Sequence, residues 1–206
     1  MMLRFSILAI ATVLAVSAWA QNAPGSGPGH DWVHPPKEAP RGDRGGDNYS
    51  LDTLFSALKI APDAKSAKAI EERIWALWTA SGSDTCNLLM GRVRAATDDK
   101  NFDLAVKLLD AVIELKPNYV EAWNRRATIY YLKRDYGNAL ADIRAVLAKE
   151  PRHFGALSGL GLILQDIGDD KHALEAYRKA LAIDPHLDKI PEVVKTLSEK
   201  VEGRDI

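Results

Sequence analysis

The chain has 206 residues, is 47% hydrophobic and 27% charged, and sets 27 Lys and Arg against 28 Asp and Glu, a formal net charge of −1. That length holds one ordinary domain with an ample core, and the near-neutral balance excludes a dedicated nucleic-acid binder, which carries a strong basic excess. The single Cys86 excludes an internal disulfide and any Cys-rich zinc or iron–sulfur module.

Residues 1–20 read as a secretory signal peptide. Arg4 supplies the positive end, Phe5 to Val16 forms an apolar run of 12 residues, and Ala18-Trp19-Ala20 is the small-x-small pattern that signal peptidase cuts after. The run is short for a bilayer crossing, so no membrane span is expected once cleavage after Ala20 is complete. No Cys follows it, so no lipoprotein anchor is expected. The expected location is therefore outside the cytoplasm, in the periplasm. In such an oxidising compartment Cys86 has no second thiol to mispair with, and it reads as a small buried hydrophobe.

Residues 21–50 carry Pro24, Pro28, Pro35, Pro36 and Pro40 among many glycines, with no apolar periodicity. Such a stretch cannot bury enough surface to offset its ordering entropy, and it reads as a flexible tether. The island His30-Asp31-Trp32-Val33-His34 inside it is either plain loop, a docking peptide led by Trp32, or a pair of metal-binding histidines. A free tail rarely preorganises metal ligands, and no metal site is expected.

Residues 51–84 form a helical pair. Leu51, Leu54, Phe55 and Leu58 keep helical spacing, as do Ile70, Ile74, Leu77 and Trp78. Trp75 and Trp78 on the second helix read as core. Ser81-Gly82-Ser83-Asp84 ends that helix and caps the next. The pair is a degenerate repeat or a cap on the helices after it.

Residues 85–187 repeat every 34 positions: Pro117, Pro151 and Pro185, and likewise Ala105, Ala139 and Ala173. In the windows 86–119, 120–153 and 154–187 the fourth residue is Leu89, Trp123 and Leu157, and the eighth is Val93, Ala127 and Gly161. The twenty-fourth is Leu109, Ile143 and Tyr177. Each window holds two helices joined by a polar turn, with small residues letting backbones approach and large ones filling the gaps beside them. Each proline ends a unit because it lacks an N–H and turns the preceding residue away from helix. Residues 188–206 then form a last helix and tail, with Ile190, Val194, Leu197 and Val201 on one face and charges on the other, as a terminal cap requires.

This alternation resembles the tetratricopeptide repeat (TPR) family, and window 154–187 matches it best through Leu160-Gly161, Ala173, Tyr177, Ala180 and Pro185. The resemblance implies an all-α fold: a right-handed solenoid of helix-turn-helix repeats, with the first helix of each pair lining a concave inner wall. It also implies a protein or peptide partner held there, through Met90, Arg94, Asn124, Arg125, Thr128, Tyr131, Ser158, Leu162 and Gln165. Arg94 and Arg125 suit a carboxylate or backbone carbonyl, Asn124 and Gln165 offer donors and acceptors, and Met90, Tyr131 and Leu162 supply apolar contact. Two positions depart from the family pattern. Arg92 and Arg126 stand at a place usually held by Leu and read as inter-repeat ion pairs. Gly155, Gly159 and Gly161 each cost up to about 1 kcal/mol within a helix, so either another helix or a ligand backbone must approach unusually closely there, and close helix packing is the expectation.

No catalytic chemistry is legible. Ser56-Ala57-Leu58-Lys59 has the Ser-x-x-Lys form without its companion motifs, and there is no nucleophile elbow, phosphate loop or His-Glu-x-x-His. His153, His172 and His186 lack metal-ligand spacing. The expectation is an exported, non-enzymatic adaptor or assembly factor without a cofactor. The alternative is a scaffold that self-associates or joins an envelope complex through its convex face or end caps.

Overall fold

The computed structural model describes residues 50–203. The expected leader, and the tether with its His30–His34 island, lie outside the described residues apart from Ser50. The described residues form α1 (Leu51–Lys59), α2 (Ala64–Thr79), α3 (Asp84–Asp98), α4 (Phe102–Leu115), α5 (Val120–Leu132) and α6 (Tyr136–Lys149), followed by α7 (Phe154–Asp166), α8 (Asp170–Ile183) and α9 (Ile190–Val201). They contain no strand. The fold is the all-helical repeat solenoid that the 34-residue period predicts.

The turns inside the three repeats are built alike. Asn101, Asp135 and Asp169 each turn a side-chain oxygen onto the backbone N–H of the residue three later, which caps α4, α6 and α8. The residue before each cap is left-handed: Lys100, Arg134 and Gly168 have φ of 57°, 59° and 85°. Only Gly168 takes that conformation without a steric cost.

Each repeat closes on its own small and large residues. Ala105, Leu109 and Val112 of α4 meet Val93 and Ala96 of α3, and the same cluster takes in Ala122 and Ile129 of α5. Ala127, Ala139, Ile143 and Ile163 continue the core into the next two repeats. At Gly161 an added Cβ would come within 2.6 Å of the Tyr177 ring, so α7 and α8 approach as closely as a missing side chain allows. Close packing, not a ligand, accounts for that glycine. α9 seals the last repeat by burying Ile190, Val193 and Leu197 against Ala173, Leu174 and Tyr177 of α8.

The α1–α2 pair does not extend the stack ahead of α3. It lies as a strap along the three inter-repeat turns. The Tyr119 hydroxyl donates to the Thr79 carbonyl at 2.9 Å, and Lys116 donates to the Ser81 carbonyl. One turn further along the stack, Trp78 lies parallel to the His153 ring at 4.0 Å, and Trp75 packs edge-on to Phe154. At the third turn His186 Nε2 is 3.0 Å from the Ala61 carbonyl, and Glu71 shares a hydrogen bond with Asp184. α2 has 16 residues, a length of about 24 Å, which suits a span of three repeats whose helices stand roughly 10 Å apart. Its Trp75, Trp78 and Ile74 share a core with Leu54, Phe55 and Leu58 of α1 and with Phe154, Ile183 and Leu187 of the repeats. The apolar face legible in the sequence is thus buried against turns, not against a first repeat helix.

Candidate functional site

α3, α5 and α7 carry all nine predicted binding residues, and the structure sorts them into two groups. Met90, Arg94 and Arg125 come together on an open pocket of about 160 Å³, where α3 and α5 meet the end of α2. Thr79, Asn87, Gly91 and Tyr119 complete its lining. Arg94 is half-buried and makes no ion pair among the described residues. Asn124, Thr128, Tyr131, Ser158 and Leu162 are buried, and Gln165 is half-buried and accepts from the Tyr177 hydroxyl at 3.2 Å. Thr128 Oγ1 donates to the Asn124 carbonyl at 3.1 Å, and Ser158 Oγ donates to the Phe154 carbonyl at 2.9 Å. These hydroxyls satisfy their own helices.

A buried ionic cluster sits behind the pocket. Glu121, at the start of α5, is 0% exposed. Its carboxylate lies 2.8 Å from Arg125 Nε and accepts from Asn124 Nδ2 at 3.0 Å. Burial raises the Glu121 pKa, and the Arg125 charge works against that rise. His153 Nε2 stands 3.9 Å from the other side of this carboxylate. His153 Nδ1 accepts from the Ala156 N–H at 3.0 Å, which puts the proton of the neutral ring on Nε2, facing Glu121. Burial holds the ring neutral, with its pKa lowered to about 3. One face of Arg125 is therefore anchored by a buried acid, and its free edge turns to the pocket.

Arg126 is an inter-repeat ion pair, as expected, whereas Arg92, expected to form one as well, is exposed and makes none among the described residues because no acid faces it. Arg126 reaches Asp142 of α6 at 2.8 Å and Asp110 of α4 at 2.6 Å, and its guanidinium lies 5.0 Å over the Trp123 ring. The hydrogen bond to Asp142 is the main cause of its raised pKa. Gly155 is explained by the strap, because a Cβ there would meet the Trp75 ring at 3.0 Å. Cys86 is buried in the first repeat's core.

Two pocket residues are not legible in the sequence. Thr79 ends α2, and Tyr119 stands in the turn before α5, so their meeting depends on where the strap lies. The only local signal is the aromatic at 119 directly after a proline turn. Among the described residues no three His, Cys, Asp or Glu side chains gather as metal ligands, and no helix is long and apolar enough to cross a membrane.

Residues 90–145 and 133–188 match the family model described as Tetratricopeptide repeat. A TPR repeat-containing protein of Rhizobium etli is 44% identical over 153 residues, covering 74% of this chain and 75% of that protein. Among solved structures, the Sgt2 TPR domain from Aspergillus fumigatus superposes with a TM-score of 0.54 at 24% identity, covering 58% of this chain and 81% of that one. The first TPR of Spaghetti (RPAP3), bound to the HSP90 peptide SRMEEVD, superposes with a TM-score of 0.55 at 16% identity over 58% of this chain and 95% of that one. With its 34-residue register, its paired helices and these likenesses, the chain belongs to the tetratricopeptide repeat family.

Proposed function

We propose that this protein is exported to the periplasm and holds a polypeptide segment against the inner side of its repeats, as an adaptor or assembly factor. Its mechanism is binding alone, with no bond made or broken. One observation carries this reading: the Arg94 guanidinium, without an ion pair, opens into a pocket that also presents the Asn87 amide, the Met90 thioether and the free edge of Arg125. Two guanidinium groups flanking an apolar wall suit a carboxylate, from a side chain or a chain end, next to an apolar residue. The Asn87 amide oxygen accepts from Ser81 Oγ at 2.6 Å, which leaves its NH2 to donate to a backbone carbonyl of an extended peptide.

The pocket is small, about 160 Å³, and takes one or two side chains, not a compact ligand. The rest of the segment must run over the surface. Arg94→Glu tests this directly, because Arg94 anchors nothing in the fold. With benzoylphenylalanine in place of Met90, immobilised protein should capture polypeptides from an envelope fraction by crosslinking in the pocket, and Arg94→Glu should abolish that capture while leaving the helical circular dichroism unchanged. Capture that survives the charge reversal would overturn the pocket reading. An Arg125 reversal is less informative, because it would leave Glu121 buried beside a like charge.

A further inference from the structure

Among the described residues the first repeat is bare on the side from which the later repeats are covered. Ala122 of α5 and Ala156 of α7 are 0% exposed, whereas Leu88, the residue of α3 in the same register, is 65% exposed. Ile129 and Ile163 are likewise buried, and their counterpart Ala95 is exposed. α9 keeps the register too, since Ile190 and Leu197 lie 34 residues beyond Ala156 and Ile163 and are buried on α8. So α5, α7 and α9 each lay this stripe on the helix before them. On α3 the stripe is open, and a Cβ added to Gly91 would meet nothing within 4 Å.

Arg92 indicates what the absent neighbour carries. Its counterpart Arg126 is held between Asp142 of its own repeat and Asp110 of the preceding helix. In the first repeat Leu108 stands at the place of Asp142, and among the described residues no helix lies ahead of α3 to offer the equivalent of Asp110. Arg92 is exposed and has no ion pair among the described residues. Leu104 and Leu115, 44% and 57% exposed, share the helical stripe of Leu108 and widen the apolar face, where the second repeat has Asn138 and Lys149.

We propose that this end face docks an amphipathic helix of a partner protein, seated on α3 as α4 is seated on α5, with its apolar stripe over Leu88, Gly91 and Ala95 and a carboxylate on Arg92. Charge selects this occupant over a second copy: a two-fold contact centred on Gly91 would set Arg92 against Arg92, and like charges facing across an interface oppose it. The face borders the Arg94 pocket at Gly91, but Leu88, Arg92 and Ala95 lie outside that pocket, so the two surfaces are tested by different variants.

The probe is a fluorescein-labelled peptide of residues 101–119, the segment that occupies this place on α5. It is stapled across positions 107 and 114, which are exposed in α4, so that it is helical when free. Anisotropy against the full chain should show saturable binding, weakened at least about tenfold by Leu88→Glu or by Asp110→Lys in the peptide. Arg92→Glu should restore the Asp110→Lys peptide. Leu88 is exposed, so its variant keeps the fold, which circular dichroism checks. Absence of saturable binding, or binding indifferent to Leu88→Glu, would overturn the proposal. A concentration-dependent dimer in sedimentation velocity that Leu88→Glu abolishes would also overturn it, by assigning the face to a second copy.

Discussion

Glu71 shows how one buried residue can set the pH response of a repeat fold. It lies on α2, 7% exposed, hydrogen-bonded to Asp184 at the end of α8, with Lys68 Nζ at 3.4 Å from its carboxylate. Burial, and then the Asp184 charge, push its pKa up to about 7. A folded carboxyl with a raised pKa contributes full stability below its unfolded pKa and loses it as pH rises through the folded value. His153 has the opposite sign: its pKa is depressed by burial, so its contribution is full above the unfolded value and lost as pH falls toward about 3. Wild-type stability therefore mixes both effects, and a difference measurement separates them. Relative to wild type, Glu71→Gln should gain roughly 2 kcal/mol between about pH 5 and about pH 8, read from urea midpoints at each pH. A difference independent of pH would show that Glu71 ionises normally. Nothing in the sequence announces this pair, since 113 positions separate residues 71 and 184 and both look like solvated helix charges.

Among the elements, the repeats are legible in the sequence and the strap is not. The prolines at 117, 151 and 185 and the small residues at 105, 139 and 173 report a period directly, because each marks a place where backbones must stop or touch. For α1 and α2 periodicity reports only that one face is apolar. That the face meets three turns follows from shape: Trp75 fills the space that Gly155 leaves, and Trp78 covers the flat His153 ring. Of the pocket, the residues on α3 and α5 follow from the register, and Thr79 and Tyr119 follow only from the strap. Trp78 should then hold the strap down. Trp78→Ala removes a large buried ring and should cost about 3–5 kcal/mol, and it should speed tryptic cleavage at Arg73 while the repeats stay resistant. Unchanged cleavage at Arg73 would mean that the strap is held by something other than this aromatic cluster.

Across the whole molecule, one register runs from α3 to α9, and its ends are treated differently. α9 closes the last repeat with an apolar face toward α8 and a charged face toward water, including the Arg178 pair with Glu202 at 2.6 Å. Among the described residues the other end is left open, because the strap is committed to the turns. A pocket lies near that open end, where Arg94 makes no ion pair among the described residues and Arg125 is fixed by a buried acid. On the proposed reading, such a solenoid acts by presenting surfaces to a partner. Photo-crosslinking in cells tests that account most directly, with benzoylphenylalanine in place of Met90 in the pocket and, separately, in place of Lys107 on the exposed side of α4. Adducts to another polypeptide at position 90 that disappear with Arg94→Glu, without the same adducts at position 107, are the predicted result. Adducts at position 107 with none at position 90 would contradict it.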